Sequence, residues 1–306
     1  MVDLDISLPV VFPFRLDLTV WALRRRKNNI IDRWDGHQYT RIILFDHIPV
    51  KMTIAQEDPA KSPWLRISMR NRQKNVDPAR EHVLRVVNKT LGLNVDLRPF
   101  YKLTEKDAAI GLLVRQFSGV KPPRYPGIFE ALLNAIACQQ VSLDVGIILL
   151  DRLAEKFGRV FDDGNGYHSF PSPESLADTT VEEIKKLGFS YQKARAINEL
   201  AAAVTNGEVD PESVNGMSDP EAIAYLSDLR GIGRWSAEYV LLRGMGRMSS
   251  FPADDIGARN NLQKLFGLDH KPGYDEIKEL TSRWHPYEGL VYFHLLLNKL
   301  RLNGVI

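Results

Sequence analysis

The chain has 306 residues and a formal net charge of +2, and 44% of its residues are hydrophobic and 25% charged. This length suffices for two domains, and the composition is ordinary for a soluble globular protein. No apolar run reaches the ~18 residues that a membrane helix needs, and the N-terminal residues lack the basic start of a signal peptide. We therefore expect no membrane partner and a cytoplasmic location, or a nuclear one if the cell has a nucleus.

Cysteine usage limits the possible cofactors. Cys138 is the only cysteine, so a single chain can form neither a disulfide nor a cysteine-ligated iron-sulfur cluster. The histidines and acidic residues show no metal-ligand spacing. We expect no cofactor, no catalytic metal and a monomeric protein.

Residues 1–100 are predicted to form a separate α+β domain. The run at 14–20 alternates between apolar and polar residues, and further β-rich runs follow at 30–34, 39–45, 50–56 and 64–69. A helix over about 78–91 is predicted to end this unit at Gly92.

Residues 101–306 are predicted to be helices joined by short loops. One helix is expected at 104–117, and a second starts near residue 127 and carries apolar residues with helical spacing. The segment 139–142 interrupts the second helix, and Ser142 is placed to cap the helix that follows.

The most informative stretch is 229–259. It contains the turn Leu229–Arg234, with the sequence LRGIGR, between two predicted helices. Gly231 and Gly233 would let backbone N–H groups at the start of the second helix point outward, an arrangement that suits a phosphate. The alternative is an ordinary helical corner whose glycines serve the turn geometry alone.

Two adjacent carboxylates, Asp254 and Asp255, follow directly before another predicted helix at 256–266. One carboxylate can cap the N-terminus of this helix, a role that we assign to Asp254. Asp255 is then expected in the first turn, beside the hairpin helix. Because a carboxylate next to a phosphate-binding turn weakens anion affinity, Asp255 needs another function.

The hairpin and the Pro-Ala-Asp-Asp segment together resemble the helix-hairpin-helix and Gly/Pro-Asp motif of the DNA base-excision glycosylases. They are most similar to the alkylation-repair branch, DNA-3-methyladenine glycosylase II. The resemblance covers roughly residues 100–306. It implies an α+β protein, with an N-terminal antiparallel sheet and helices at 1–100 and a two-lobed all-α glycosylase domain at 101–306. Lobe one spans about 125–250, and lobe two combines about 101–120 with 251–306.

The resemblance also implies the activity. The protein is expected to be a monofunctional glycosylase that hydrolyses the N-glycosidic bond of flipped-out alkylated bases in double-stranded DNA and leaves an abasic site. Asp255 takes the catalytic role, because a carboxylate stabilises the positive charge that develops on the sugar. Gln140 matches the wedge that enters the minor groove, although without the resemblance it only satisfies backbone at a helix break. The residues expected to hold the DNA backbone are Gly231, Gly233, Arg234 and, through its amide, Ser236.

Trp235, Tyr239 and Tyr287 are expected to form the base pocket, because aromatic rings stack on a cationic alkylated purine. Without the resemblance, Trp235 and Tyr239 are better interpreted as core residues at a spacing of four. Bifunctional relatives carry a lysine at the position of Trp235, and the stretch 229–259 contains no lysine. We therefore expect no lyase activity. His285 and His294, at the last predicted helix, are interpreted as packed or surface residues rather than as general acids or metal ligands.

Several alternatives stay open on the sequence. The chain can also be interpreted as a glycosylase for oxidised bases or as a non-catalytic helix-hairpin-helix DNA-binding protein. By resemblance, the backbone carbonyls of Ser227, Leu229 and Ile232 are candidates for holding a monovalent cation. The basic residues at 24–27 and 66–74 are either solvated surface or supplementary DNA contacts.

Overall fold

The N-terminal part of the protein is built around one antiparallel sheet. The computed structural model describes residues 2–57, 63–71 and 76–306. The elements of this part are β1 (Val2–Pro9), α1 (Leu16–Arg24), β2 (Arg33–Trp34), β3 (Gln38–Phe45), β4 (Ile48–Ala55), β5 (Trp64–Asn71) and α2 (Asp77–Leu91). The five strands pair in the order β1-β5-β4-β3-β2, and every neighbouring pair is antiparallel.

Three of the predicted strands and helix α2 are confirmed, but the run at 14–20 is not a strand. From Leu16 onward this run belongs to α1. That helix is buried on most of its surface, so its apolar residues do not form the single stripe that usually identifies a helix. Strand β1 was not predicted, and of the run at 30–34 only Arg33–Trp34 is extended. Arg72 and Lys74, in the second group of basic residues, lie outside the described residues.

The rest of the chain is mainly helical. Its elements are α3 (Arg98–Thr104), α4 (Gly111–Gln116), α5 (Ile128–Cys138), α6 (Leu143–Phe157), β6 (Val160–Phe161), β7 (Tyr167–His168), α7 (Pro173–Ala177), α8 (Val181–Lys186), α9 (Tyr191–Thr205), a 3-10 helix (Pro211–Gly216), α10 (Asp219–Ser227), α11 (Arg234–Val240), a π-helical extension of α11 (Leu241–Met245), α12 (Ile256–Phe266), α13 (Tyr274–Ser282) and α14 (Glu288–Leu302). Within the described ranges, no helix has the length and apolarity required to cross a bilayer.

Local signals located some of these elements correctly. The break at 139–142 is present, and the Ser142 side chain accepts a hydrogen bond from the Val145 amide as the N-cap of α6. Within the single helix expected at 104–117, the helical part is mainly α4, and α3, which ends at Thr104, was not predicted. The helical part also contains one short antiparallel pair, β6 and β7, which the expectation of an all-α domain did not include.

Two hydrophobic clusters organise the packing, and α1 contributes to both. Leu16, Val20 and Leu23 join a cluster that extends from the sheet through α5, α6, α9 and α11. Leu18 and Ala22, on another side of α1, join the cluster of α3, α4, α12, α13 and α14. Helix α1 therefore brings its C-terminal end to the place where the two helical groups meet. The predicted domain boundary near residue 100 falls within α3, and the division into domains stays a prediction.

Candidate active site

A cavity of 1020 Å³ lies where the two helical groups meet. Five segments line it, so no single stretch of sequence contains the site. They are Arg25–Arg26 after α1, residues 138–144 between α5 and α6, residues 231–239 of the hairpin and α11, residues 254–261 at the start of α12, and residues 292–300 of α14.

Asp255 lies on the wall of this cavity and is half-buried. Its Oδ1 accepts a hydrogen bond from the Ala258 amide at 2.8 Å, and its Oδ2 accepts one from the Tyr292 hydroxyl at 3.1 Å. Burial, followed by the negative charge of Asp255, raises the pKa of the Tyr292 phenol well above its usual range. Tyr292 therefore keeps its proton at neutral pH and fixes one carboxylate oxygen at the cavity wall.

The expectation that Asp254 caps α12 is wrong, because Asp255 is the N-cap. Asp254 instead pairs with Arg234 of the hairpin helix, at 2.7 Å, and with Arg259 of α12. The Arg234 guanidinium also lies 3.7 Å from the centre of the Tyr274 ring. The two adjacent carboxylates thus differ in role. Asp254 links the hairpin to α12 through its ion pairs, whereas the Asp255 carboxylate lies at the cavity wall.

A buried carboxylate supports the segment before Asp255. Glu238 of α11 is 2% exposed. Its Oε2 accepts from the Ala253 amide at 3.2 Å, and its Oε1 accepts from the Tyr274 hydroxyl at 2.6 Å and from Lys278 Nζ at 2.9 Å. Glu238 therefore connects the hairpin helix to the chain two residues before Asp255.

The hairpin presents an open helix start. Gly231 has φ +80°, in the left-handed region, and a Cβ there would lie 2.9 Å from the Ala196 side chain, so the turn requires glycine. A Cβ at Gly233 would meet nothing within 4 Å, which leaves this side of the turn open. Within the described residues, the backbone N–H groups of Arg234 and Ser236 have no protein acceptor. These amides are therefore free to bind an anion.

The loop between α5 and α6 is tied to the hairpin through Gln139, a contact that the sequence did not predict. Gln139 Nε2 donates to the Gly231 carbonyl at 2.7 Å and to the Ser236 hydroxyl at 2.8 Å. The next residue, Gln140, is exposed and has φ +54°, a conformation that side chains other than those of glycine, asparagine and aspartate rarely adopt. The tie at Gln139 thus holds the exposed Gln140 side chain beside the hairpin, at the rim of the cavity.

Two of the three predicted pocket aromatics line the cavity. The rings of Trp235 and Tyr239 lie 5.4 Å apart at 32° to each other. The Tyr239 hydroxyl accepts a hydrogen bond from Arg25 Nη1 at 2.9 Å and lies 2.9 Å from the Tyr125 hydroxyl. These bonds fix the plane of the Tyr239 ring, so one cavity wall is a rigid aromatic surface.

The prediction that Tyr287 lines the base pocket is wrong. Its ring packs against Phe100 at 5.8 Å, within the second hydrophobic cluster. Tyr287 is the N-cap residue of α14, and His294 within that helix packs on Phe100 as well, at 5.3 Å. Tyr292 of α14 lines the cavity instead. His294 is buried, and burial lowers its pKa to about 4, so the structure supports the packed one of its two interpretations.

Sequence reasoning missed several cavity residues, among them Tyr292, Lys299 and Arg25. Tyr292 and Lys299, two helical turns apart, are polar positions on one face of the apolar helix α14, a signal that the sequence does contain. Arg25 lies within a basic run for which only solvated surface or DNA contact was considered, yet Arg24 and Arg25 are each 4% exposed. No local signal could have found Arg25, because the packing of α1 between the two clusters buries it.

The backbone of Ser227, Leu229 and Ile232 surrounds a small surface hollow at the hairpin turn. The Leu229 carbonyl already accepts a hydrogen bond from the Ile232 amide at 3.1 Å. In the part of the chain that the structure describes, no group of three or more His, Cys, Asp or Glu side chains could hold a metal ion. A monovalent cation at the turn stays a prediction.

Comparison with known proteins adds evidence independent of this geometry. The family model of the HhH-GPD superfamily base excision DNA repair proteins matches residues 133–286. A DNA-3-methyladenine glycosylase of Bacillus subtilis is 27% identical over 292 residues, which is 95% of either chain.

Two solved structures share the fold. A 3-methyladenine DNA-glycosylase from Archaeoglobus fulgidus has a TM-score of 0.85 at 24% identity and covers 98% of this chain and 100% of its own. An 8-oxoguanine glycosylase/lyase from Clostridium acetobutylicum has a TM-score of 0.74 at 18% identity and covers 95% of each chain. At these identities the likeness shows the fold alone. The family match, however, spans half of the chain and includes both the hairpin and Asp255, and the chain therefore belongs to the HhH-GPD superfamily of base excision DNA repair proteins.

Proposed function

We propose that the protein is a monofunctional DNA glycosylase that hydrolyses the N-glycosidic bond of alkylated bases, of the 3-methyladenine type, and leaves an abasic site. Its partner is double-stranded DNA that contains a damaged base, bound by one protein molecule without a cofactor. It acts in the compartment that holds the genome, the cytoplasm or the nucleus. The observation that carries this proposal is the half-buried Asp255 carboxylate, which lies at a cavity that is also walled by Trp235 and Tyr239.

The cavity is large enough to receive a base that has left the duplex. Its 1020 Å³ is at the upper end of the volumes typical of ligand pockets, about 300–1,000 Å³. Rotating a nucleotide out of the stack costs a few kcal/mol, and least when the base is damaged. The tilted rings of Trp235 and Tyr239 offer a surface on which the extruded base stacks.

Asp255 supplies the charge that the reaction needs. As the bond to the base breaks, positive charge develops on the deoxyribose, and a fixed carboxylate close to the sugar stabilises it. The same carboxylate orients the attacking water and accepts its proton. The bonds from Tyr292 and the Ala258 amide prevent the carboxylate from turning away during this step.

The hairpin and the neighbouring loop account for DNA binding. The unsatisfied amides at the start of α11 and the open side of Gly233 suit a DNA phosphate. Gln140, exposed at the cavity rim, is placed to enter the minor groove and fill the space of the extruded base. Arg234 contributes its charge from the same helix start, although it already pairs with Asp254.

The absence of a hairpin lysine supports hydrolysis without lyase activity, since Trp235 occupies the position of the lysine in bifunctional relatives. Lys299 is a lysine that lines the cavity from α14. Borohydride trapping on damaged duplex DNA therefore has two informative arms, the natural protein and Lys299→Met. A covalent adduct that disappears in Lys299→Met would show a lyase mechanism and contradict the monofunctional assignment.

The decisive variant is Asp255→Asn, which keeps the shape of the side chain and removes its charge. We expect the single-turnover release of 3-methyladenine and 7-methylguanine from methylated duplex DNA to fall about 1,000-fold. DNA affinity should be retained or increased, because a negative charge near the phosphates is lost. Asp269→Asn, at a fully exposed side chain outside the cavity, is the matched control and should leave release unchanged.

The same assay separates the rival functions. If Asp255→Asn released methylated bases as fast as the natural protein, Asp255 would not be catalytic. If the natural protein released no base from methylated DNA but did release oxidised bases, the substrate assignment would be wrong. If it bound duplex DNA and released neither kind, the non-catalytic alternative would be correct.

A further inference from the structure

Arg25 combines two unfavourable features at one position. It directly follows α1 and has φ +64°, in the left-handed region, where a residue with a side chain costs about 1 kcal/mol more than glycine. Glycine is the usual residue at such a helix end, so the chain keeps a side chain here against the local preference. That side chain is only 4% exposed and lines the cavity.

The Arg25 guanidinium is also buried without a counter-ion. Its partners are neutral: Nη1 donates to the Tyr239 hydroxyl at 2.9 Å, Nη2 donates to Asn134 Oδ1 at 2.9 Å, and Cys138 Sγ lies 3.8 Å from Nη1. Among the residues that the structure describes, no carboxylate lies within 4 Å of it, and its Nε has no hydrogen-bond partner. Burying a charge of this kind costs several kcal/mol of desolvation free energy unless a counter-ion or a bound ligand compensates it.

The charged residues that line the cavity fall into two groups, those in ion pairs and those without one. Arg26 pairs with Asp144 at 2.6 Å, and Asp254 pairs with Arg234. In the described part of the chain, Asp255 has no cationic side chain within 4 Å. The cavity therefore has an unpaired anion at Asp255 and an unpaired cation at Arg25, and Lys299 adds a second unpaired cation on α14.

The unpaired charges at Asp255 and Arg25 affect how easily a base departs, because the charge of the departing base depends on the substrate. In hydrolysis the oxygen of one water molecule bonds to C1′ of the sugar, and the bond between C1′ and the base nitrogen breaks with its electron pair going to the base. The proton of the water passes to Asp255 and from there to solvent or to the departed base. A cationic alkylated base leaves as a neutral molecule, whereas an uncharged base leaves carrying negative charge. A fixed cation stabilises the second kind of leaving group and repels the first before it reacts.

We propose that Arg25 is a specificity-determining residue that stabilises the negative charge on an uncharged damaged base as it departs. Under this proposal, which rests on the proposed glycosylase function, the substrates include uncharged purines whose edge carries a hydrogen-bond acceptor, in addition to cationic alkylated bases. Asp255 stabilises the sugar side of the breaking bond, and Arg25 stabilises the base side. Trp235 and Tyr239 form the wall on which the base stacks, and stacking depends little on charge.

The test compares two 6-oxopurines that differ in charge. Duplexes carry either hypoxanthine, which is uncharged, or 7-methylguanine, which is cationic, at the same position, and release is measured under single-turnover conditions. Arg25→Met should slow the release of hypoxanthine about 100-fold, the usual effect of removing one preorganised electrostatic donor. Release of 7-methylguanine should fall no more than a few-fold, because it loses only the hydrogen bond that holds Tyr239 and not a charge that stabilises the departing base. Arg25→Lys, which keeps the charge but not the planar fork, should fall between the natural protein and Arg25→Met on hypoxanthine.

The ratio of the two rates keeps the test informative even if Arg25→Met folds incompletely, because a reduced active fraction lowers both rates equally. Arg15→Met is the matched control, since Arg15 lies at the opposite end of α1 and pairs with Asp17 on the surface. It should leave both rates unchanged.

Three results would overturn the proposal. Equal slowing of both substrates by Arg25→Met would show that Arg25 has only a structural role. Selective slowing of 7-methylguanine would show the opposite preference. Release of 7-methylguanine but not of hypoxanthine by the natural protein would reject the role of Arg25 while leaving the proposed function intact. Release of neither base would instead reject the proposed function itself.

Discussion

Two arginines from the N-terminal part of the chain contact successive turns of α5, and they differ in the charge of their partners. Arg41 of β3 is 2% exposed and pairs with Asp32 at 2.6 Å and with Glu130 of α5 at 2.5 Å. Arg25 donates to Asn134, one turn further along the same helix, where an amide takes the place of a carboxylate. The charge of Arg41 is therefore balanced by two carboxylates, whereas the charge of Arg25 has no counter-ion among the residues that the structure describes.

The difference separates a structural charge from one that faces a site. Two carboxylates surround Arg41, and the Tyr39 hydroxyl also donates to Asp32 at 2.8 Å, so the cluster is closed and has no access to the cavity. Burial raises the pKa of Glu130, while the Arg41 charge acts to lower it. At Arg25 no carboxylate is present in the described part of the chain, and the cavity is adjacent. A buried ion that joins two elements, as Arg41 joins β3 to α5, needs counter-ions to offset its desolvation. An ion that acts on a ligand must instead have no protein counter-ion, so that its charge is available to the ligand.

The largest expected effect tests this difference by stability. Arg41→Met leaves two buried carboxylates without their cation and should lower the free energy of unfolding by about 3–5 kcal/mol. Arg25→Met removes a charge that has only neutral partners and should cost less, about 1–2 kcal/mol for the hydrogen bonds lost. Urea unfolding followed by circular dichroism measures both, with Arg70→Met, at a surface pair with Asp3, as the control. Equal losses for Arg25→Met and Arg41→Met would remove the distinction.

Asp151 is a buried carboxylate that resembles Arg25 in having no counter-ion, since no lysine or arginine lies within 4 Å of it among the described residues. It resembles Arg41 in lying away from the residues that line the cavity. Its Oδ1 accepts from the Ile30 amide at 3.1 Å, and burial, with a smaller contribution from Glu155, raises its pKa to about 7. The folded state therefore holds this proton more tightly than the unfolded state, in which the carboxyl titrates near its usual value of about 3.9. Stability should fall as the pH rises from 5 to 8, because the folded protein must ionise a buried group.

Asp151→Asn should remove that part of the pH dependence. The natural protein should lose about 1–2 kcal/mol more than Asp151→Asn between pH 5 and pH 8, after allowance for solvent screening. Thermal unfolding at a series of pH values measures the difference. Parallel curves for the two proteins would show that Asp151 is ionised throughout and contributes nothing to the pH dependence.

The smallest expected effect concerns Glu238, a buried ion that is paired like Arg41 but lies beside the site. Glu238→Gln keeps the shape and weakens the bonds to Tyr274 and Lys278, so the segment at Ala253 should be held less firmly. We expect base release to slow about tenfold, because a small displacement of Asp255 from the sugar weakens charge stabilisation.

A pH profile gives Glu238 a readout beyond rate. As a positioning residue, it should change the rate at every pH and leave the shape of the profile unaltered. Glu182→Gln, at an exposed pair with Lys185, is the control and should have no effect. A changed profile would show that Glu238 itself exchanges a proton in the reaction.

Elements with strong local signals could be predicted. The alternating strands β3, β4 and β5, helix α2 and its end at Gly92, the hairpin turn and the N-cap at Ser142 all follow from residue patterns over a few positions. Helix α1 was misassigned because burial on several sides conceals its period. Tyr287 was placed in the pocket because it directly follows Pro286. It is instead the N-cap residue of α14, and its ring packs against Phe100.

The sequence by itself determined the turn of the hairpin and the presence of two carboxylates before α12, because a glycine turn and a helix start are defined by residues within one short stretch. It did not determine which of Asp254 and Asp255 caps the helix. Only the tertiary structure decided which residues share the cavity with Asp255. Arg25 and Tyr292 lie far from it along the chain, and the packing of α1 and α14 brings them together. The physical reason is that backbone conformation depends on near neighbours, whereas the polarity of a cavity depends on which charges remain unpaired after distant elements have packed.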